Sequence, residues 1–166
     1  MIRDSAIRPA GTRHCAAIAA IWNPVIRDTL VTFTDREKTP EALLQMLSET
    51  RAAGHGFLVA EGPGGLLGFA AYGQFRGGPG YRQAMEHTIM LAPAARGQGL
   101  GRALMARLEE HARDGGAHVM LAGVSSANPE GRAFHEAIGY RVVGVLPEVG
   151  RKFGRWLDLV LMHKSL

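Results

Sequence analysis

One short run, Arg96-Gly97-Gln98-Gly99-Leu100-Gly101, narrows what this chain can fold into more than any other. It follows Glu86–Leu91 (EHTIML), a stretch that reads as a strand ending at Ala92-Pro93. It precedes Leu100, Leu104, Leu108 and Ala112, an i, i+4 stripe that reads as an amphipathic helix ending near Gly115-Gly116. Three alternating glycines remove side chains where a backbone must approach a ligand closely. They leave N–H groups converging beside the positive end of the next helix, which suits a phosphate. No Gly-Lys-Ser/Thr follows, so the run is not a P-loop. The G-x-G-x-G spacing and mid-chain position fit a dinucleotide fold poorly as well. A tight strand-to-helix turn packed through glycine would produce the same pattern, so the run alone leaves both readings open.

Its surroundings describe the rest of the fold. Ala6–Arg8 reads as a first strand, and Thr12 as the cap of a helix with Cys15, Ile18, Ala19 and Trp22 on one face. Thr39-Pro40-Glu41 starts a second helix, with a hydroxyl cap, a proline at the first position and an acid near the positive end. That helix runs through Leu43, Leu44 and Leu47 towards Gly54. Strands are predicted at Gly56–Glu61 and Leu66–Phe75 around the turn Pro63-Gly64-Gly65. After the glycine turn and its helix come an apolar strand, His118–Val124, and a helix capped by Asn128-Pro129-Glu130 that stops at Gly139. Two final strands are expected near Tyr140–Leu146 and Trp156–Met162. The order β-α-α-β-β-β-α-β-α-β-β predicts a mixed α/β domain around one central sheet, with no internal repeat or linker across residues 1–166.

Composition excludes several classes. One cysteine, Cys15, precludes an intramolecular disulfide framework and a multi-cysteine zinc site, and it reads as a small core residue rather than a nucleophile. Seven histidines show no metal-ligand spacing, so no metal is expected. The start of the chain leads into no apolar signal region, and no stretch approaches a membrane span. A soluble cytoplasmic protein is expected. Of 19 basic residues all but Lys38, Lys152 and Lys164 are arginines, scattered rather than gathered into a tract. The net charge of +4 suits an anionic small molecule as well as a polynucleotide, and composition alone favours a plain solvated surface; no nucleic-acid partner is expected.

The ordered set of strand, R-G-Q-G-L-G, helix, strand, Asn128, helix and Gly139-Tyr140 resembles the GNAT superfamily of N-acetyltransferases across nearly the whole chain. Arg96-x-x-Gly99-x-Gly101 stands where that family carries its Arg/Gln-x-x-Gly-x-Gly/Ala motif. Tyr81–Leu91, Phe134–Tyr140 and Val149–Leu159 are similar to the phosphinothricin and methionine sulfoximine N-acetyltransferases, which are typically homodimers. The resemblance implies a mostly antiparallel sheet flanked by helices, and acetyl-CoA as co-substrate. It places the pyrophosphate on the backbone of Gly97, Gln98, Gly99, Leu100, Gly101 and Arg102, with Arg96 also among the cofactor-binding residues. The pantetheine arm would then run along Ile89, Met90 and Leu91, with Asn128 contacting the same cofactor.

Direct transfer to an amine needs a base for the ammonium proton and help for the leaving thiolate, but no nucleophile on the enzyme. With the resemblance, Glu86 is the candidate base and His135 the candidate proton donor to sulfur. Around the acceptor stand Phe33, Arg76, Arg82, Glu86, His87 and Thr88. Asn128 can serve purely as a helix cap, and His87, His135 and Phe33 can simply pack. Either arginine suits a substrate carboxylate by its bidentate fork, or both are solvated; the resemblance favours Arg76. The expected reaction is acetylation of the α-amine of a small amino-acid analogue. A protein N-terminal or other amine acetyltransferase, or a silent CoA-binding module, is the alternative. The segment Val149–Trp156 crowds Arg151, Lys152, Phe153, Arg155 and Trp156, and we expect a homodimer that sets Lys152 and Phe153 near a partner's site.

Overall fold

The computed structural model describes residues 5–166, and the strand and helix order is the expected one. Seven strands, β1 (Ala6–Pro9), β2 (Phe57–Gly62), β3 (Gly65–Gln74), β4 (Ala84–Leu91), β5 (Val119–Ser125), β6 (Arg141–Lys152) and β7 (Arg155–Ser165), form one sheet in the order β1-β2-β3-β4-β5-β7-β6. All neighbours are antiparallel except β4 and β5, which are joined by a helical crossover as parallel strands require.

Four helices cover the sheet: α1 (Cys15–Asp28), α2 (Pro40–Ala52), α3 (Leu100–Asp114) and α4 (Pro129–Ala137). On one face Ile18, Trp22 and Ile26 of α1 and Leu43 and Leu47 of α2 pack on Phe57, Val59, Phe69 and Ala71. On the other, Leu104, Met105 and Leu108 of α3 pack on Ala70, Met120, Ala122 and Met162. Each such fully buried aliphatic side chain contributes about 1.5–3 kcal/mol. Alternation along β4 therefore decides which residue meets which layer. Met85, Ile89 and Leu91 join the α3 side, while Met90 joins the α1 side.

The differences from expectation are local. Thr12 does not cap α1; Thr12–His14 forms a 3-10 turn instead, and the Gly11 N–H donates to His14 Nδ1 at 2.8 Å. Leu44 stands outside the buried stripe of α2 and is 46% exposed. Thr39 caps that helix as expected, its Oγ1 accepting from the Ala42 N–H at 3.1 Å. β6 continues well past Leu146 to a hairpin turn at Phe153-Gly154, both in the left-handed region at φ 49° and 74°. Two successive positive φ values match the twist of the flanking strands. Among the described residues no helix is long and apolar enough to cross a membrane.

Candidate active site

The decisive feature is where two strands part company. β4 and β5 pair only through Ala84–Glu86 and Val119–Leu121. Beyond Glu86, β4 runs to Leu91 hydrogen-bonded to β3 alone, with Ile89, Met90 and Leu91 opposite Ala70, Phe69 and Gly68. Its other backbone edge is left open, and buried peptide groups demand partners. An extended ligand carrying amides would supply them as an added strand does.

A cavity of about 260 Å³ occupies the split. His87 to Met90 of β4 and Ala122 to Ser125 of β5 form its floor, Asn128 and His135 of α4 one wall, and Trp22 with the α1–α2 loop the other. Thr88, Ile89, Met90 and Phe33 all line it, whereas Leu91 packs behind, against Gly68 and Gly101.

At the far end of β4 lies the glycine turn. Gly97 and Gly99 have φ of 71° and 79°, and a Cβ on either would meet nothing within 4 Å, so both present bare backbone to open space. The first helical bond of α3 is from the Ala103 N–H to the Gly99 carbonyl. The N–H groups of Leu100, Gly101 and Arg102 precede it and have no helical acceptor. No side chain caps them, and no acid stands in the first turn. Uncapped donors at a positive helix end fit the diphosphate of CoA. The run's other members support the turn. Gln98 Nε2 donates to the Ala94 carbonyl at 2.7 Å, and Arg102 Nη2 to the Ala137 carbonyl at 3.0 Å, tying α3 to α4. Leu100 buries its side chain and offers only its N–H; Gly101 is small because Phe134 Cε2 lies 3.1 Å from where a Cβ would stand. Arg96 is exposed beside the turn.

Glu86 sits where the strands begin to separate, opposite Gly73 on one side and Leu121 on the other. Its carboxylate reaches over β5: Oε1 lies 2.9 Å from where a Cβ on Gly123 would stand. Gly123 lines the cavity, so the carboxylate lies against one of its lining residues. Burial pushes the Glu86 carboxyl above its ordinary value. A raised carboxyl pKa suits a base. An isolated glycine inside an apolar strand was the available signal for this close approach.

His87 and His135 stack, with centroids 5.0 Å apart and planes at 28°, and both rings meet Tyr140 edge-on. Burial, and then the neighbouring His135, push His87 down to about 3. His135 is also lowered, chiefly by burial, although its bond to Gly131 and the nearby Glu109 pull the other way. Its Nδ1 is 2.6 Å from the Gly131 carbonyl, which makes that nitrogen the donor; Nε2 is buried without a partner. A neutral His135 thus turns a free lone pair, not a proton, towards its surroundings. Beneath it, the Tyr140 hydroxyl donates to Glu109 Oε1 at 3.0 Å and Lys164 Nζ to Oε2 at 2.6 Å, contacts that reading the sequence did not anticipate.

Asn128 does cap α4, Oδ1 accepting from the Gly131 N–H at 2.9 Å, while also lining the cavity. The two arginines are not brought to the cavity. Arg76 lies in the exposed loop after β3, its guanidinium 6.0 Å from the Tyr81 ring centroid, and Arg82 Nε donates to the Pro79 carbonyl at 3.1 Å. Lys152 is engaged within its own chain: it is 4% exposed, and Nζ donates to the Thr32 carbonyl at 3.0 Å and to Thr32 Oγ1 at 3.1 Å. Phe33 packs on Gly150, where a Cβ would overlap its ring. Together these clamp the α1–α2 loop over the cavity. Cys15 is buried in α1, and among the described residues no His, Cys, Asp and Glu cluster could hold a metal.

Comparison with known proteins agrees with this geometry. Residues 22–140 match the model of the acetyltransferase (GNAT) family. The L-amino acid N-acyltransferase MnaT of Escherichia coli is 39% identical over 160 residues, covering 96% of this chain and 93% of its own. The L-methionine sulfoximine/L-methionine sulfone acetyltransferase of Salmonella typhimurium is also 39% identical, covering 96% and 94%. A solved acetyltransferase from Salmonella typhimurium with its cofactor acetyl-CoA superimposes with a TM-score of 0.93 at 38% identity, over 98% of this chain and 94% of that one. The split sheet, the bare glycine cradle and these likenesses have one common explanation: the chain belongs to the acetyltransferase (GNAT) family.

Proposed function

We propose that this acetyltransferase moves the acetyl group of acetyl-CoA onto the α-amine of a free, small amino-acid analogue of the methionine sulfoximine or phosphinothricin type. The observation that carries the reading is the small cavity at the β4–β5 split, with the Glu86 carboxylate over Gly123 at its margin. A cavity of about 260 Å³ is of a size that suits a small acceptor beside the thioester. The likeness to enzymes named for L-amino acids and methionine sulfoximine supports the same class.

Acetyl-CoA supplies the activated acyl thioester. The uncapped N–H groups at the start of α3 and the free edge of β4 hold and align it. Glu86 would take the ammonium proton, directly or through water. The freed amine attacks the thioester carbonyl, the C–N bond forms as the C–S bond breaks, and the CoA thiolate leaves and takes up the proton that the acylated nitrogen sheds. His135 serves as a hydrogen-bond acceptor through Nε2, and acts as a proton donor only in a charged form that burial opposes. Arg76, outside the cavity, would reach a substrate carboxylate only by leaving the Tyr81 ring.

The protein is also proposed to be a homodimer. Val145, Val149, Phe153 and Trp156 on the β6–β7 hairpin are between 51% and 58% exposed, and β6 is a sheet edge. An apolar edge of this kind invites a second copy. Sedimentation at micromolar concentration checks this, and a monomer would refute it. The acceptor reading is tested by acetyl-CoA consumption with free amino acids, methionine sulfone, peptides and polyamines. Methionine sulfone or a free amino acid should be the best acceptor; preference for peptides or polyamines would refute the assignment.

A further inference from the structure

The chain has three lysines, and two are spoken for. Lys152 holds Thr32, and Lys164 holds Glu109 and the Ile138 carbonyl. The third, Lys38, lines the cavity and makes no ion pair among the described residues. Its ammonium stands 4.9 Å from the centroid of Trp22, a ring that is 7% exposed and lines the same cavity.

The position is built rather than incidental. Asn23 clamps the Lys38 backbone on both sides, Oδ1 accepting from its N–H at 2.7 Å and Nδ2 donating to its carbonyl at 2.9 Å. The other end of the loop is fixed by the Lys152–Thr32 bonds and by Phe33 on Gly150. The anchored backbone fixes where the Lys38 stem leaves the loop, and the Trp22 ring holds its ammonium at the cavity. The indole face attracts the cation while leaving its three N–H donors free for an anion.

Charge complementarity points to the ligand. His87 and His135 are kept neutral by burial, so Lys38 is the one cation among the residues lining the cavity. The Glu86 carboxylate lies against Gly123. An amino acid is a zwitterion: the one lysine lining the cavity matches its carboxylate, while Glu86, beside the lining residue Gly123, stands next to the cavity for its ammonium. Methionine sulfone has no side-chain charge, which leaves the α-carboxylate as the anion every such acceptor carries.

We infer that Lys38 binds the α-carboxylate of the acceptor and so selects free amino acids over amides and amines that lack it. The inference rests on the small-amino-acid reading of the site. Loss of a charge-assisted contact corresponds to roughly a ten- to hundredfold fall in kcat/KM.

The test compares Lys38→Met and Lys38→Arg in the full-length enzyme, with methionine sulfone and its α-carboxamide as acceptors. Lys38→Met should raise KM for the acid about ten- to hundredfold and change kcat/KM for the amide less than threefold. Lys38→Arg should recover much of the loss. Acetyl-CoA affinity by calorimetry and thermal unfolding should stay as in the wild type. An equal loss for acid and amide would make Lys38 a packing residue and overturn the inference, as would no loss at all. A selective loss in Arg76→Ala but not in Lys38→Met would return the role to Arg76. If the wild-type enzyme turns over neither acid nor amide, the acceptor reading itself fails, and the Lys38 assignment with it.

Discussion

The two halves of the site are built in opposite ways. The glycine turn at Arg96–Gly101 is local: consecutive residues, two positive φ values and one helix end make the cradle. The cavity at the β4–β5 split, proposed for the acceptor, is assembled from places far apart in the chain, with Lys152 reaching back 120 residues to Thr32 and Glu86 lying over Gly123. A local device tolerates change elsewhere and fails when its own backbone is altered. An assembled device fails at any of its contacts, and its failures should leave cofactor binding intact.

Substitutions can separate the halves. The largest effect is expected for Glu86→Gln. Removing the base should lower kcat by roughly 10²–10⁴-fold while acetyl-CoA binding by calorimetry is unchanged. The folded-state pKa of Glu86 is raised, so the ionised carboxylate costs stability above the unfolded pKa, and the glutamine variant should melt no lower than the wild type at neutral pH. A base must be ionised, so wild-type kcat/KM should fall as pH drops through that raised pKa, and the glutamine variant should lack this limb. A loss below threefold in kcat would take the proton from Glu86 and give it to water or another group.

Gly99→Val should do the reverse. A β-branched residue at φ 79° is strained by about 1–3 kcal/mol, and its Cβ enters the cradle. Acetyl-CoA affinity should fall at least tenfold, with a smaller change in the acceptor KM once cofactor is saturating. Unchanged affinity in a folded variant would show that the cradle is only a turn. Gly123→Ala probes the assembled half more finely, because its Cβ would crowd the Glu86 carboxylate. A misplaced base should cost about tenfold in kcat without touching cofactor affinity; loss of cofactor affinity instead would mean that the halves are coupled. Smallest is Lys152→Met, which releases Thr32. A few-fold rise in acceptor KM is expected, together with a lower melting temperature, since the two part-buried bonds from Lys152 to Thr32 are lost. No change in either would show that the loop needs no clamp.

The local half was legible in the chain because its causes are local. Alternating glycines between an apolar strand and an i, i+4 stripe state a turn, a helix end and uncapped donors without reference to anything distant. Thr39 and Asn128 were readable as caps for the same reason, and so was the order of strands and helices. Even locally the reading faltered where two short-range solutions compete: Thr12 lost the cap to a 3-10 turn anchored by His14. The length of β6 was hidden because Glu148 and Phe153 adopt positive φ that their side chains do not advertise.

What the sequence determined by itself, then, was the element order, the family resemblance and the glycine turn that opens α3. Only tertiary structure decided the acceptor end. A strand register of three residue pairs sets where β4 and β5 separate, and nothing in either strand's composition marks Glu86 as the last paired position. Likewise, no spacing along the chain tells Lys38 from sixteen arginines. The distinction arises when the α1–α2 loop folds over the sheet, where Asn23 fixes Lys38 at the cavity while Arg76 and Arg82 stay on an exposed loop. Charge acts through distance, and distance between remote residues exists only once the chain has folded.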